Sequence, residues 1–285
     1  MWPRRAVLLA SLTAAAGCSA EGTDIRRRVD TTQLTGPSPS PSDVSYRPVA
    51  STGYENFVYR GERKFYTELT GRAEIRNAEA FLARDAFVIG GVGAPESGAA
   101  PIERAEFSAV DREIHGRDVW AAFAVRVIGP NPSDWCLINQ FHDVPDKQDA
   151  VVPPPFGAEL VPGGRGFRIM ARAAGSRHHT AVDVERTVYE IDEFERDRWH
   201  HFVYHLVFER AKSGVIQIWH NGVSVADLVV PFGYNNEVGP YFKYGAYRAA
   251  TSGATHTEYV NVELRNASLL PRVANPRSIT PKVAW

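Results

Sequence analysis

Three short segments of the sequence put groups that carry charge, form hydrogen bonds or move protons on alternate residues. In Tyr241-Phe242-Lys243-Tyr244-Gly245-Ala246-Tyr247-Arg248 a strand would align Tyr241, Lys243, Gly245 and Tyr247, because successive side chains of a strand point to opposite faces. Two phenols and an ammonium then share a face, and Gly245 is expected to leave room for a ligand. In Trp135-Cys136-Leu137-Ile138-Asn139-Gln140-Phe141-His142 the same rule groups Cys136, Ile138, Gln140 and His142, so that Gln140 and His142 project together. In Glu103-Arg104-Ala105-Glu106-Phe107-Ser108 a charged face, Arg104 and Glu106, opposes an apolar one, Ala105 and Phe107. Any one of these patterns describes the solvated face of an ordinary half-buried strand. Three together, carrying Arg, Gln with His, and Lys with Tyr, make a candidate site.

The elements that must position these groups are strands. Short alternating runs separated by Gly, Pro, Asn and Asp dominate from Phe57 onward, without a long 3.6-residue period, and predict an all-β fold of two antiparallel sheets. The clearest predicted strands are Val119–Ile128, Trp135–His142, Gly166–Ala171, Trp199–Phe208, Val215–His220, Val223–Val230, Tyr241–Arg248 and Glu258–Leu264. Asn221-Gly222 predicts a two-residue hairpin turn, which needs positive φ at both positions. Val144 to Gly164, with Pro153-Pro154-Pro155 and Gly163-Gly164, reads as a long loop.

The ends add an address. A basic start, Arg4-Arg5, precedes an apolar run from Ala6 to Ala16 that is too short to span a bilayer and ends in Gly17-Cys18. Residues 1–18 therefore read as an export signal whose Ala15-Ala16-Gly17-Cys18 end resembles a bacterial lipobox, with Cys18 as the lipidated residue. Residues 19–45, rich in Pro and Ser, read as a disordered tether, and residues 46–285 as one domain, since β-sandwiches reach roughly 200–250 residues undivided. The expected location is the cell envelope or the outside of the cell. Cys136 is the one other cysteine and lies in an apolar run, so it is expected to be a small buried hydrophobe. A net charge of −1 gives no sign of a nucleic-acid partner, and any anionic ligand must meet a local basic patch. The chain is expected to act as a monomer that touches membrane only through its lipid.

Taken as motifs, the three segments resemble the signature strands of jelly-roll polysaccharide lyases. Arg104-Ala105-Glu106-Phe107 is similar to their Arg-Ser/Thr-Glu-Leu motif, Gln140-Phe141-His142 to Gln-Ile/Val-His, and Tyr241 to Tyr247 to Tyr-Phe-Lys-Ala-Gly-x-Tyr. The heparin lyase I and glucuronan lyase type is the nearer likeness, with alginate lyases more distant. Trp199-His200-His201-Phe202-Val203, Ile216 to Gly222 and Gly239 to Lys243 extend the likeness across Arg72 to Leu264. Arg72-Ala73-Glu74-Ile75-Arg76 also fits the arginine motif of alginate lyases, but it lies too far before Gln140. Arg104 takes that role, and Arg72 and Arg76 become a flanking basic strand. Ser108 stands where alginate lyases carry a second arginine, which speaks against alginate.

The resemblance implies a concanavalin-like jelly roll that cleaves a uronic-acid-containing polysaccharide by β-elimination. The proton at C5 of a uronate is very weakly acidic until the adjacent carboxylate is neutralised. Arg104 would supply charge, and Gln140 and His142 hydrogen bonds, to the carboxylate as negative charge builds there. Tyr247 would take the C5 proton and return it to the departing O4; His142 as base with Tyr247 as acid is the other scheme. A free phenol has a pKa of about 10, and Lys243 and Arg104 are the expected sources of a shift toward phenolate. Tyr241, Glu106, Arg72 and Arg76 are expected to bind substrate alongside Lys243, and Arg248, on the opposite strand face, to be structural.

Two rival readings remain. Glu190-Ile191-Asp192-Glu193-Phe194-Glu195 imitates the carboxylate motif of jelly-roll glycoside hydrolases, but Glu193 stands where a strand needs an apolar residue, so a solvated turn is expected. A non-catalytic carbohydrate-binding jelly roll would need aromatic platforms and no proton-transfer group. The elimination scheme requires no cofactor. No Asp-rich loop has calcium-binding spacing, and His178-His179, His201 and His205 have no metal-ligand spacing.

Overall fold

The computed structural model describes residues 47–49, 53–60, 62–71, 73–78, 84–90, 102–250 and 253–275. The expected signal with Cys18, the expected tether and Arg72 lie outside the described residues, and of Arg76 only the backbone is described. In chain order the strands are β1 (Arg47–Val49), β2 (Gly53–Arg60), β3 (Arg63–Thr70), β4 (Ala73–Ala78), β5 (Arg84–Ile89), β6 (Ile102–Ala109), β7 (Asp118–Ile128), β8 (Cys136–His142), β9 (Phe156–Leu160), β10 (Phe167–Ala173), β11 (Val184–Ile191), β12 (His200–Val207), β13 (Glu209–His220), β14 (Val223–Phe232), β15 (Tyr241–Ala249) and β16 (Thr255–Arg265), followed by a single helical turn, α1 (Pro271–Ala274). They form two eight-stranded sheets, ordered β1-β4-β5-β16-β7-β12-β13-β14 and β11-β10-β9-β8-β15-β6-β3-β2. Asn221 and Gly222, at φ 49° and 79°, turn β13 into β14 as their residue types require.

The sheets face each other across an aromatic core. Phe123, Phe202 and Tyr204 from the first sheet meet Phe107, Phe141, Phe242 and Tyr244 from the second, all fully buried. Edge-to-face pairs such as Phe87 with Tyr244 at 5.6 Å and Phe123 with Tyr204 at 5.3 Å each add about 0.5–1.5 kcal/mol beyond burial. A buried polar clamp also ties the sheets: Arg60 of β2 pairs with Asp85 of β5 at 2.6 Å, and the Tyr244 hydroxyl donates to Asp85 Oδ2 at 2.8 Å. β7 is apolar on both faces because both are covered. Its outer Trp120 and Ala122 pack with Val203 and with Leu269 beyond β16, while Ala124 packs under Trp199.

The stretch read as a loop from Val144 to Gly164 contains β9, a central strand of the second sheet with all five residues buried. Gly157 and Ala158, weak strand formers, hid it in the sequence, as did the prolines just before it. Cys136 is buried in the core as expected, and burial pushes its thiol up to about 12.

Candidate active site

The three segments are β6, β8 and β15, and β15 lies between the other two. Along β15, Tyr241 pairs with His142 and Lys243 with Gln140 on one side; Lys243, Gly245 and Tyr247 pair with Ser108, Glu106 and Arg104 on the other. Phe242, Tyr244 and Ala246 face the core, as do Ala105 and Phe107 of β6. Tyr241, Lys243, Tyr247, Arg104 and Glu106 therefore share the outer face, together with Gln140 and His142 of β8.

On β8 the simple alternation fails. The strand carries one residue more than β9 between Leu137 and Asn139, and such a bulge shifts the side-chain phase. Cys136 and Ile138 face the core, as does Asn139, whose Oδ1 accepts from the Tyr204 hydroxyl of the other sheet at 3.4 Å. Gln140 and His142 do project together, but not with Cys136 and Ile138. Gly245 also serves a purpose other than the expected one. Its φ is 140°, and a Cβ there would sit 2.2 Å from the Ala105 carbonyl oxygen and 2.9 Å from the Glu106 Cα. The neighbouring strand, not a ligand, requires glycine at this position.

The site has two layers. The lower one is a network of matched charges. Lys243, 1% exposed, contacts Glu106 Oε2 at 2.7 Å and donates to Glu68 Oε2 at 3.0 Å. Gln140, fully buried, donates through Nε2 to Glu106 Oε1 at 2.7 Å, leaving its own Oε1 without a partner. Ser108 donates to Glu68 Oε1 at 2.6 Å. Burial would raise the Glu68 carboxyl, but Lys243, Ser108 and Arg104 outweigh it and hold it at about 2. The Lys243 ammonium, expected to act on Tyr247, is thus enclosed by two carboxylates.

The upper layer is partly open. Arg104 donates to Glu68 Oε2 at 2.7 Å, lies 3.2 Å from Glu106 through an Nε that makes no directed hydrogen bond, and stacks over the Tyr247 ring with Cζ at 4.5 Å. Burial opposes its charge, yet Glu106, Glu68 and Tyr247 hold it above its ordinary range. Trp135 packs edge-on against Tyr247 at 4.9 Å. At the other end of the strip, His142 Nδ1 faces the Asp143 carbonyl at 2.6 Å. A carbonyl only accepts, so Nδ1 carries a proton, and in the neutral ring Nε2 is then the acceptor. Tyr241 packs on this imidazole at 5.5 Å, and burial pushes its phenol up to about 12.

Glu68, Ser108, Trp135 and Asp143 belong to this region, though the motifs do not single them out. Glu68 enters the site through strand register, with Tyr66, Glu68 and Thr70 paired with Ser108, Glu106 and Arg104. The hydrolase-like run carries no site: Glu193 and Glu195 are 76% and 47% exposed in their side chains and pair with Arg165 and Arg198. His178 and His179 lie on a loop, and His201 and His205 in β12. Among the described residues no three His, Cys, Asp or Glu side chains are grouped to hold a metal ion.

A family model described as polysaccharide lyase matches residues 56–262. Among solved structures, an endo-β-1,4-glucuronan lyase from the fungus Trichoderma reesei shares the fold at TM-score 0.55 and 14% identity, over 71% of this chain and 90% of that one. An alginate lyase from Pseudomonas aeruginosa aligns at TM-score 0.44 and 13% identity, over 73% and 88% of the two chains. Alginate lyase AlyC3 in complex with dimannuronate aligns at 0.46 and 13%, over 66% and 78%. A search of curated proteins finds no match.

Proposed function

The chain belongs to the polysaccharide lyase family, and from that premise we propose that it cleaves a polyuronate by β-elimination on the outer face of β6, β8 and β15, with Tyr247 carrying the proton. The observation behind this reading is the Arg104 guanidinium stacked on the Tyr247 ring at 4.5 Å, on a charged network that fixes it in place. Arg104 would meet the uronate carboxylate and stabilise the charge that develops there as C5 loses its proton. Tyr247, as phenolate, would take that proton. The C5–H electrons form the C4–C5 double bond, the C4–O4 bond breaks, and the phenol returns the proton to O4. The buried Lys243, Glu106 and Gln140, with the half-buried Glu68, would hold Arg104 in register, while His142 would offer Nε2 to the chain further along the strip.

Screening the purified domain against a panel of polyuronates for ultraviolet-absorbing unsaturated product tests the proposal. Release of such product, lost in Tyr247→Phe, is expected. Near-normal product from that variant would remove Tyr247 from the chemistry. The sequence further supports a place at the cell envelope through Cys18; a Cys18→Ser chain that still labels with fatty acid would end that part of the reading.

A further inference from the structure

We propose that Arg112 binds a second carboxylate of the substrate chain, on a sugar other than the one that reacts, and thereby favours longer and more highly charged chains. The proposal rests on the reading of this face as polyuronate-cleaving. Its ground is charge matching. Around the strip, cations are taken up by the protein's own carboxylates: Arg104 by Glu68 at 2.7 Å, Lys243 by Glu106 at 2.7 Å and Glu68 at 3.0 Å, and Arg63 by Asp111 at 3.1 Å and Glu113 at 3.3 Å. Two cations and two carboxylates in the central network cancel. That network therefore offers little net attraction to a polyanion.

Arg112 differs. Among the described residues its contacts are with neutral groups: Nη1 donates to the carbonyls of Ala109 at 2.9 Å and Val110 at 3.0 Å, and Cζ lies 3.8 Å over the Tyr241 ring. These contacts hold the guanidinium without neutralising it. One nitrogen is tied to the backbone at the end of β6 and one face is stacked, so much of the ordering cost of binding is already met. The remaining N–H edge has the fork geometry that takes a carboxylate through two parallel hydrogen bonds.

Position decides which carboxylate. Tyr241 touches both Arg112 and His142 and stands six residues before Tyr247 on the same strand face. At the usual rise per residue that is about 20 Å of strand, beyond the reach of a single sugar docked at Tyr247. Arg112 thus faces a further sugar of the same chain. The buried Asp143 carboxylate is engaged by Asn236 at 3.2 Å, and Asp111 and Glu113 face Arg63.

The test compares the full chain with Arg112→Gln and Arg112→Lys on a length series of a cleaved polyuronate, at low and high KCl. Arg112→Gln should raise KM on long chains about tenfold, the order of one charge-assisted contact, with a smaller change in kcat. Its salt dependence should be flatter, and the defect should vanish on the shortest cleavable oligosaccharide. Arg112→Lys, with charge but no fork, should fall between. Unchanged KM and salt dependence overturns the proposal; so does a fall in kcat at constant KM, which makes Arg112 only a support for Tyr241 and His142. If Arg112→Gln melts below the assay temperature, Arg112→Lys decides by the same split. A wild-type chain that binds polyuronate without unsaturated product would overturn the elimination reading alone, and calorimetric binding across the same salt series then reads Arg112.

Discussion

Glu103 and Arg104 are neighbours on β6, as Tyr247 and Arg248 are on β15, and the register pairs Arg248 with Glu103 and Tyr247 with Arg104. Strand alternation sends one pair inward and the other outward. On the inner side Arg248 is fully buried, and its donors are consumed: Nε and Nη2 reach Glu103 at 3.0 and 2.7 Å, Nη1 the Thr255 hydroxyl at 2.7 Å, and Nη2 also the Gly253 carbonyl at 2.8 Å. On the outer side Arg104 is stacked on a half-buried phenol and braced by Glu68 and Glu106, with its side chain partly exposed. Two arginines on the same strand pair thus give a closed clamp and a braced, pre-positioned guanidinium, with side chains 0% and 21% exposed. What separates structure from chemistry here is whether the arginine side chain reaches the surface.

The comparison breaks most readily at Tyr247. Tyr247→Phe keeps the ring that Arg104 covers but removes the proton carrier, so turnover should fall roughly 10³-fold while substrate still binds; single-turnover kinetics with an equilibrium binding assay checks both halves. Arg248→Met should behave in the opposite way. It strands Glu103 in the interior and should cost about 3–5 kcal/mol of stability, read by denaturant unfolding, while folded molecules keep their kcat. Arg104→Gln, one strand face away, should lose roughly 10²-fold in kcat/KM, as expected when a charge-stabilising group goes, with a smaller loss of stability than Arg248→Met. Equal effects on both properties in Arg104→Gln and Arg248→Met would erase the distinction between the faces.

A milder probe uses a second closed assembly. Tyr189 donates to His220 Nδ1 at 2.9 Å, His220 Nε2 to His200 Nδ1 at 2.9 Å, and His200 Nε2 to the Glu195 carbonyl at 2.8 Å. The terminal carbonyl only accepts, so the direction of each bond follows and both imidazoles are neutral. Burial lowers His200 to about 4 and His220 to about 3. Both values lie below those of the unfolded chain, so their contribution to stability is full above about pH 6.5 and is lost as pH falls toward 4 and 3. Unfolding should become easier by about 2 kcal/mol at most per imidazole between pH 7 and 5, and His220→Gln should flatten that slope. A slope unchanged by His220→Gln would show that the chain is not held neutral.

Several features of this molecule were legible in its sequence for local reasons. The period of two gave the strands and the faces of β6 and β15, the apolar run around Cys136 gave its burial, and Asn221-Gly222 gave its turn because few other pairs accept positive φ twice. The grouping of Arg104, Gln140, His142, Tyr241 and Tyr247 on one face was also visible, since alternation and the motif likeness agree. Tertiary structure decided the rest. Strand pairing set the bulge that turns Gln140 and His142 away from Cys136, and the close approach of β6 explains Gly245. Only the neighbouring strand β3 brings Glu68 to Lys243 and Arg104 and buries the ammonium, because ion pairing acts between residues far apart in sequence. Among the described residues the same accounting leaves Arg112 without a carboxylate beside Tyr241, a fact about its neighbours in space that no spacing in the chain records.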